Sequence, residues 1–418
     1  MKDVLERLEA ARQASRSLRS SSGEKRAKVL LKARELLLAA EKEVLEANAR
    51  DLAALAQTKP DATSAFKDRL TINPSRLKDM AESLKQVAEL PDPVGEVVES
   101  RRLGNGLETR RVRSPLGVIF MIFESRPNVA LEAFSLAHRS GNVIILRGGK
   151  ESMQTTAVFY KILRQALASQ GLPEACLWGI DNPDRAITEF LLKQPKWIDI
   201  VVPRGGDGLI EYVVKSSQIP IIKNDRGLCH VYVHEDADLA MAEAIVVNSK
   251  CQRPGVCNAM ETLLVHSKHP GSFWLSLASK LQGVEIHGDE RVVKLLEGKA
   301  NVVLAKPHDF DTEWLDLKMN ARIVDSLDEA IAHIERHGSR HSESIITRSE
   351  AAARKFQDEI DAAAVYWNAA TRFTDGFAMG LGGELGISTQ KLHVRGPVGL
   401  RELTSVRWIV DGKGQVRE

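Results

Sequence analysis

Val118-Ile-Phe-Met-Ile-Phe123 is an uninterrupted apolar run, and the pattern on its C-terminal side decides the architecture. A strand apolar on both faces belongs inside a parallel sheet covered by helices. A helical period runs from Asn128 to Arg139, and a second apolar strand, Val143-Ile-Ile-Leu146, ends in Arg147-Gly-Gly-Lys150. Next come a helix from Glu151 to Ser169, a short strand within 173–180 and a helix over 186–193. A strand from Trp197 to Val202 ends in Pro203-Arg-Gly-Gly-Asp-Gly208, and a further strand is expected at Ile219-Pro-Ile-Ile222. Strand–helix alternation at this spacing predicts an α/β fold built on a doubly wound parallel sheet.

Working outward, residues 3–89 carry helical stripes such as Val4, Leu8 and Ala11, then Val29, Leu30, Ala33 and Leu37. Residues 98–113 read as a hairpin about Asn105-Gly106. Asp238 caps a helix running to Asn248, and Leu263-Leu264-Val265 is a strand. A second, smaller α/β unit extends to about residue 362, with strands at 302–304, 321–324 and 344–347 and helices at 327–337 and 349–359. A strand at 365–368 leads into Thr371-Arg372. The tail strand, Val406-Arg-Trp-Ile-Val410, is expected to pair with the hairpin across a subunit boundary. The predicted domains are 1–97 with 114–232 and a return segment 364–397, then 233–363, with 98–113 and 398–418 as an oligomerisation ribbon.

The bulk properties exclude several classes. A net charge of +2 gives no electrostatic case for nucleic acid. No apolar run reaches the roughly 18 residues of a membrane span. The amphipathic N-terminus has no apolar secretory core. The cysteines, Cys176, Cys229, Cys251 and Cys257, show no CxxC spacing, so neither a metal site nor a disulfide framework is expected, and a reducing cytoplasm suits them.

The chemistry points to Asn248-Ser-Lys-Cys-Gln-Arg-Pro-Gly-Val-Cys-Asn-Ala-Met-Glu-Thr262. Cys257 follows a Pro-Gly turn between a helix and a strand. A thiol so placed can face a cleft while its neighbours offer backbone N–H groups. A buried structural cysteine is the alternative. Lys250 and Arg253 would favour the thiolate if they are near in space. Gly205, Gly206 and Gly208 fit either a tight turn or close approach to a pyrophosphate at a helix N-terminus. Arg147 and Lys150 suit a ribose 2′-phosphate, or are solvated loop charges.

These segments, taken in order, resemble the aldehyde dehydrogenase superfamily in its γ-glutamyl phosphate reductase branch. The matching blocks are Pro115-Leu-Gly-Val118, Glu124-Ser-Arg-Pro-Asn-Val129, Leu146-Arg-Gly-Gly149, Val202-Pro-Arg-Gly-Gly206, Gln252-Arg-Pro-Gly-Val-Cys-Asn258, His341-Ser-Glu343, Thr371-Arg-Phe-Thr-Asp-Gly376 and Gly386-Ile-Ser-Thr-Gln-Lys-Leu-His393. They cover nearly the whole chain. The resemblance implies a cofactor domain, a catalytic domain carrying Cys257, and NADPH-dependent reduction of L-glutamyl 5-phosphate to the semialdehyde in proline biosynthesis. It implies a Cys257 thioester with Asn128 as oxyanion amide. Arg147, Gly148, Lys150, Pro203, Arg204, Gly205, Gly206 and Glu313 would bind cofactor, and Arg126, Arg253, Thr371 and Arg372 the substrate. It further implies a homo-oligomer, dimer or larger, and possible association with glutamate 5-kinase. Two positions depart from the pattern: Ala370 stands where the family usually has Ser, and Asn224 stands where oxidative relatives carry a general-base Glu. Asn cannot activate water, which fits acyl transfer to phosphate. The rival readings are an oxidative dehydrogenase for another aldehyde, a catalytically silent scaffold, and a reductase for a related acyl phosphate such as an aspartyl or N-acetylglutamyl one.

Overall fold

A computed structural model of the chain describes residues 2–124, 126–223 and 226–417. It divides into two units: Met1–Lys223 with Gly380–Gly386 and Val398–Glu418, and Asn224–Met379 with Ile387–Pro397.

The first unit opens with α1 (Lys2–Arg19), α2 (Gly23–Ala39), α3 (Glu41–Thr58), α4 (Ser64–Leu70) and α5 (Pro74–Glu89). Caps explain where two of them start. Ser22 accepts from the Lys25 N–H, and Asn73 accepts from the Arg76 N–H ahead of Pro74. Each satisfies a donor that the first helical turn leaves over. Strands β1 (Val97–Arg102) and β2 (Glu108–Pro115) form the expected hairpin, with Gly106 at φ +84°. Then β3 (Val118–Phe123), α6 (Asn128–Arg139), β4 (Val143–Arg147), α7 (Met153–Ser169), β5 (Leu177–Gly179), α8 (Arg185–Leu191), β6 (Ile200–Arg204) and α9 (Asp207–Ser216) alternate as read. Their parallel sheet has the order β5-β4-β3-β6, and every residue of β3 is buried.

Three expectations change. The strand at 219–222 reduces to one bridge, Val201 to Ile221, because Pro220 lacks the N–H a ladder needs. Strand β6 starts at Ile200, since Trp197 closes a turn on the Gln194 carbonyl. The tail strand Thr404–Asp411 pairs with β2 of its own chain, from Thr404–Pro115 to Asp411–Glu108, and not across a subunit boundary.

The second unit contains β7 (Cys229–Val233), α10 (Leu239–Cys251), β8 (Met260–His266), α11 (Gly271–Lys280), β9 (Glu285–Gly288), α12 (Glu290–Leu296), β10 (Val302–Leu304), β11 (Lys318–Val324), α13 (Leu327–His337), β12 (Ser342–Ile346), α14 (Glu350–Glu359) and β13 (Ala364–Trp367). The sheet order is β10-β9-β11-β8-β7-β12-β13, parallel at every step. Strand β7 and the run α11–β9–α12 were not expected from the sequence. Because β7 lies in this unit, the boundary falls at Lys223 and not at 232. Most of the expected return segment, 364–379 and 387–397, also belongs here, and only 380–386 to the first unit. Among the described residues no helix is long and apolar enough to cross a membrane, and no cluster of His, Cys, Asp and Glu could hold a metal ion.

Three histidines are buried without charge. Burial holds His138 at about 3, His341 at about 4 and His333 at about 2. The unfolded chain binds these protons near pH 6.5 and the folded chain refuses them, so stability is lost as pH falls below 6.5. At pH 5 each costs about 2 kcal/mol. Glu261, raised by burial to about 7, has the opposite sign and offsets roughly one of them. The denaturation midpoint in urea is therefore expected to be lower at pH 5 than at pH 7. An unchanged midpoint would show that these histidines titrate normally.

Candidate active site

In the second unit, α10 ends at Cys251 and the chain turns through 253–256 before entering β8. The Ala259 N–H closes this turn on the Val256 carbonyl at 3.0 Å. Cys257 sits on it, half-buried, while Asn258 is buried beneath. Asn258 donates its amide to the Thr374 carbonyl at 2.8 Å, and the Thr371 hydroxyl donates to the Asn258 carbonyl at 2.7 Å. The cysteine turn is thereby bolted to the turn carrying Arg372. From there, Arg372 Nε reaches Gln252 Oε1 at 3.0 Å. Burial lowers the Arg372 pKa, and so does Arg253, while Asp375, Cys257 and Cys229 act against this. Two guanidinium groups and the Cys257 thiol therefore share one neighbourhood. Arg253 is exposed.

Two contacts back the nucleophile from the other side. Gly227 packs so closely that a Cβ there would lie 1.6 Å from the Cys257 carbonyl oxygen. The Gly227 N–H in turn donates to Glu313 Oε1 at 2.8 Å. The Cys229 thiol donates to the Cys257 carbonyl at 3.2 Å. Burial, reinforced by Glu343, pushes the Cys229 thiol well up. It also raises Cys251, and drives Cys176 to about 12. These three stay protonated at neutral pH and are poor nucleophiles.

Four of the expected site residues already have partners in the structure. Lys250 does not lend its charge to the thiol: it is fully buried, with Nζ 3.0 Å from the Glu261 carboxylate. Thr371 is fully buried, and its hydroxyl donates to the Asn258 carbonyl, which braces the turn carrying Arg372. In the first unit, Arg147 donates to Thr188 Oγ1 at 2.7 Å and to the Pro183 and Gly148 carbonyls, which makes it a brace between β4 and α8. Burial and then Arg185 lower its pKa. Asn128, the first residue of α6, gives one amide N–H to Glu132 at 2.8 Å.

Also in the first unit, the carboxyl ends of β3 and β6 flank the point where the strand order reverses, the place where open α/β sheets bind ligands. Pro203 and Arg204 end β6, and α9 begins after Gly205-Gly206. Glu124 Oε2 already accepts the Gly206 N–H at 2.9 Å, so this helix start takes an anionic oxygen. Nothing lies within 4 Å of where a Gly206 Cβ would stand, which leaves room for a phosphate. Gly148 has Phe123 at 3.1 Å from such a Cβ, and Lys150 is exposed beside it. This set fits a dinucleotide.

The aldehyde dehydrogenase family model matches residues 1–294. Over 419 residues the chain is 48% identical to a γ-glutamyl phosphate reductase of Carboxydothermus hydrogenoformans, covering 100% of both. The crystal structure of the γ-glutamyl phosphate reductase of Thermotoga maritima superposes with a TM-score of 0.95 at 41% identity, covering 99% of this chain and 100% of that one. The chain belongs to the γ-glutamyl phosphate reductases of the aldehyde dehydrogenase family. An acetylating aldehyde dehydrogenase of Geobacillus thermoglucosidasius shares the fold at 18% identity, with a TM-score of 0.71.

For a γ-glutamyl phosphate reductase, the departure at Ala370 falls on a buried residue that caps the 371–373 turn. Asn224 lies outside the described residues. Sequence reading passed over Gly227, Asn258, Lys250 with Glu261, and Cys229 as parts of the site. One signal was available: Glu261 is a lone acid inside the apolar run Met260-Glu-Thr-Leu-Leu-Val265, and a charge in a buried strand needs a partner.

Proposed function

We propose that this chain reduces L-glutamyl 5-phosphate to L-glutamate 5-semialdehyde, releasing phosphate, as a step of L-proline biosynthesis. The observation that carries the reading is the bolted geometry of Cys257 beside Arg372 and Arg253. The Cys257 thiolate attacks the acyl phosphate carbon and phosphate leaves, giving a thioester. Arg253 and Arg372 hold the phosphate and α-carboxylate by paired N–H donors. The Cys257 N–H stabilises the carbonyl oxygen as it gains charge. A nicotinamide dinucleotide, when bound, supplies the hydride that turns the thioester into a thiohemiacetal. Collapse of the thiohemiacetal releases the aldehyde and returns the thiolate.

The cofactor is NADPH in this reading. Gly205, Gly206 and the start of α9 would hold its pyrophosphate, and Lys150 its 2′-phosphate. The three-stranded ribbon of β1, β2 and the tail strand serves homo-oligomer assembly in the same reading, and a glutamate 5-kinase would supply the unstable acyl phosphate by association.

The test runs the reaction backwards. Glutamate semialdehyde and NADP⁺ are mixed with and without phosphate, and NADPH absorbance is followed. Turnover is expected only with phosphate. Steady turnover without it would mean that water deacylates the enzyme, and the oxidative reading would hold.

A further inference from the structure

Lys250 and Glu261 stand at the two shoulders of the nucleophile turn, one at the end of α10 and one at the start of β8. Both are fully buried, with Nζ 3.0 Å from Glu261 Oε2. A buried ion pair is weak support for stability, since apolar residues of similar volume do as well. Something else must recommend it. The second oxygen, Glu261 Oε1, accepts the Leu315 N–H at 3.2 Å. Leu315 has φ 51°, a left-handed backbone that a branched side chain rarely adopts unless held. Its carbonyl lies 3.5 Å from where a Gly255 Cβ would stand, under the Pro-Gly turn. Two residues earlier, Glu313 accepts the Gly227 N–H, and Gly227 is packed on the Cys257 carbonyl. Trp314 fixes the far side, with its indole N–H on Asn320 at 3.3 Å and its ring 4.4 Å from that of His287.

We propose that Glu261, held by Lys250, is a positioning residue for Cys257. One carboxylate oxygen takes the cation of α10 and the other holds the 313–315 segment in its left-handed turn. That segment supports the nucleophile turn directly at Gly255 and, through Gly227, at Cys257. The proposal rests on the reading of Cys257 as nucleophile and goes beyond it by naming what sets the thiol in place.

Two double variants test it: Lys250→Met with Glu261→Leu, and Lys250→Met with Glu261→Gln. Neither leaves a lone buried charge, so both are expected to fold. A single Glu261→Leu variant, by contrast, should lose about 10 °C in Tm. The Gln variant keeps an acceptor for the Leu315 N–H and the Leu variant does not. The readouts are kcat with KM for phosphate, and the pH profile of iodoacetamide alkylation of Cys257, mapped by peptide mass. The Leu variant is expected to lose about a hundredfold in kcat with KM for phosphate unchanged. Its alkylation profile should shift, while the Gln variant stays within about threefold of wild type on both measures. Equal behaviour of the two variants would reduce the pair to a structural filler and overturn the proposal. If wild type itself shows no phosphate-dependent turnover, the functional reading fails, and the alkylation profiles still decide whether Glu261 positions Cys257.

Discussion

Gly227→Ala is expected to cut kcat by at least about a hundredfold, since about 1 Å of misplacement at a reacting atom costs this much. The reason is steric and local. An alanine Cβ would lie 1.6 Å from the Cys257 carbonyl oxygen, 2.4 Å from the carbonyl carbon and 2.7 Å from Cα. All three are backbone atoms of the nucleophile, so no rotamer change relieves the clash. Either Cys257 moves outward or the strand entry at Gly227 moves back. The first misaligns the thiol, and the second breaks the hydrogen bond to Glu313. Stability should fall by about 1–3 kcal/mol, the usual range for overpacking. Circular dichroism and kcat measured on one preparation would check both. Near-normal kcat in a folded variant would mean that the turn yields without moving the thiol.

Cys257→Ser should have the largest effect of all, a loss of at least about a thousandfold in kcat/KM. A serine hydroxyl near its ordinary pKa is a poor nucleophile without an adjacent base. The other thiols cannot substitute. Cys229 and Cys176 are buried and raised, and Cys251 is raised as well. The change is nearly isosteric at a half-buried position, so stability should shift by less than about 0.5 kcal/mol. Binding of the nicotinamide cofactor, followed by its fluorescence, should survive. A variant that stays folded, binds NADPH and still turns over phosphate-dependently would remove Cys257 from the mechanism.

How much of this was legible depended on whether a strand advertised itself by uniform chemistry. Strands β3 and β4 are unbroken apolar runs and were read almost to the residue. Strand β7 begins with Cys229-His230, and His230 looks wrong for a core until its partner is known. Its Nδ1 meets Glu343 of β12 at 2.9 Å, so the polarity is satisfied by a residue far along the chain. Strand β9, Glu285-Ile-His-Gly288, is short and alternates in burial, which gives local pattern reading little to hold. The same logic divides the site. Cys257, Arg253 and Arg372 could be named from their motifs. The close approach of Gly227, the tie through Asn258 and the burial of Lys250 exist only once β7, β8 and the 371–374 turn are brought together. The partners of Arg147 and Thr371 are hidden for the same reason, because Thr188, Pro183 and Asn258 are distant in sequence.

Passage of the acyl group through Cys257 is what the mechanism stands on. It is met most directly by mixing enzyme with glutamate semialdehyde and NADP⁺ in phosphate-free buffer and measuring intact mass alongside NADPH. One equivalent of NADPH and one glutamyl adduct per chain are expected, the adduct located on the peptide containing Cys257 and removed when phosphate is added. No adduct and no burst, or an adduct on another residue that phosphate does not release, would contradict it.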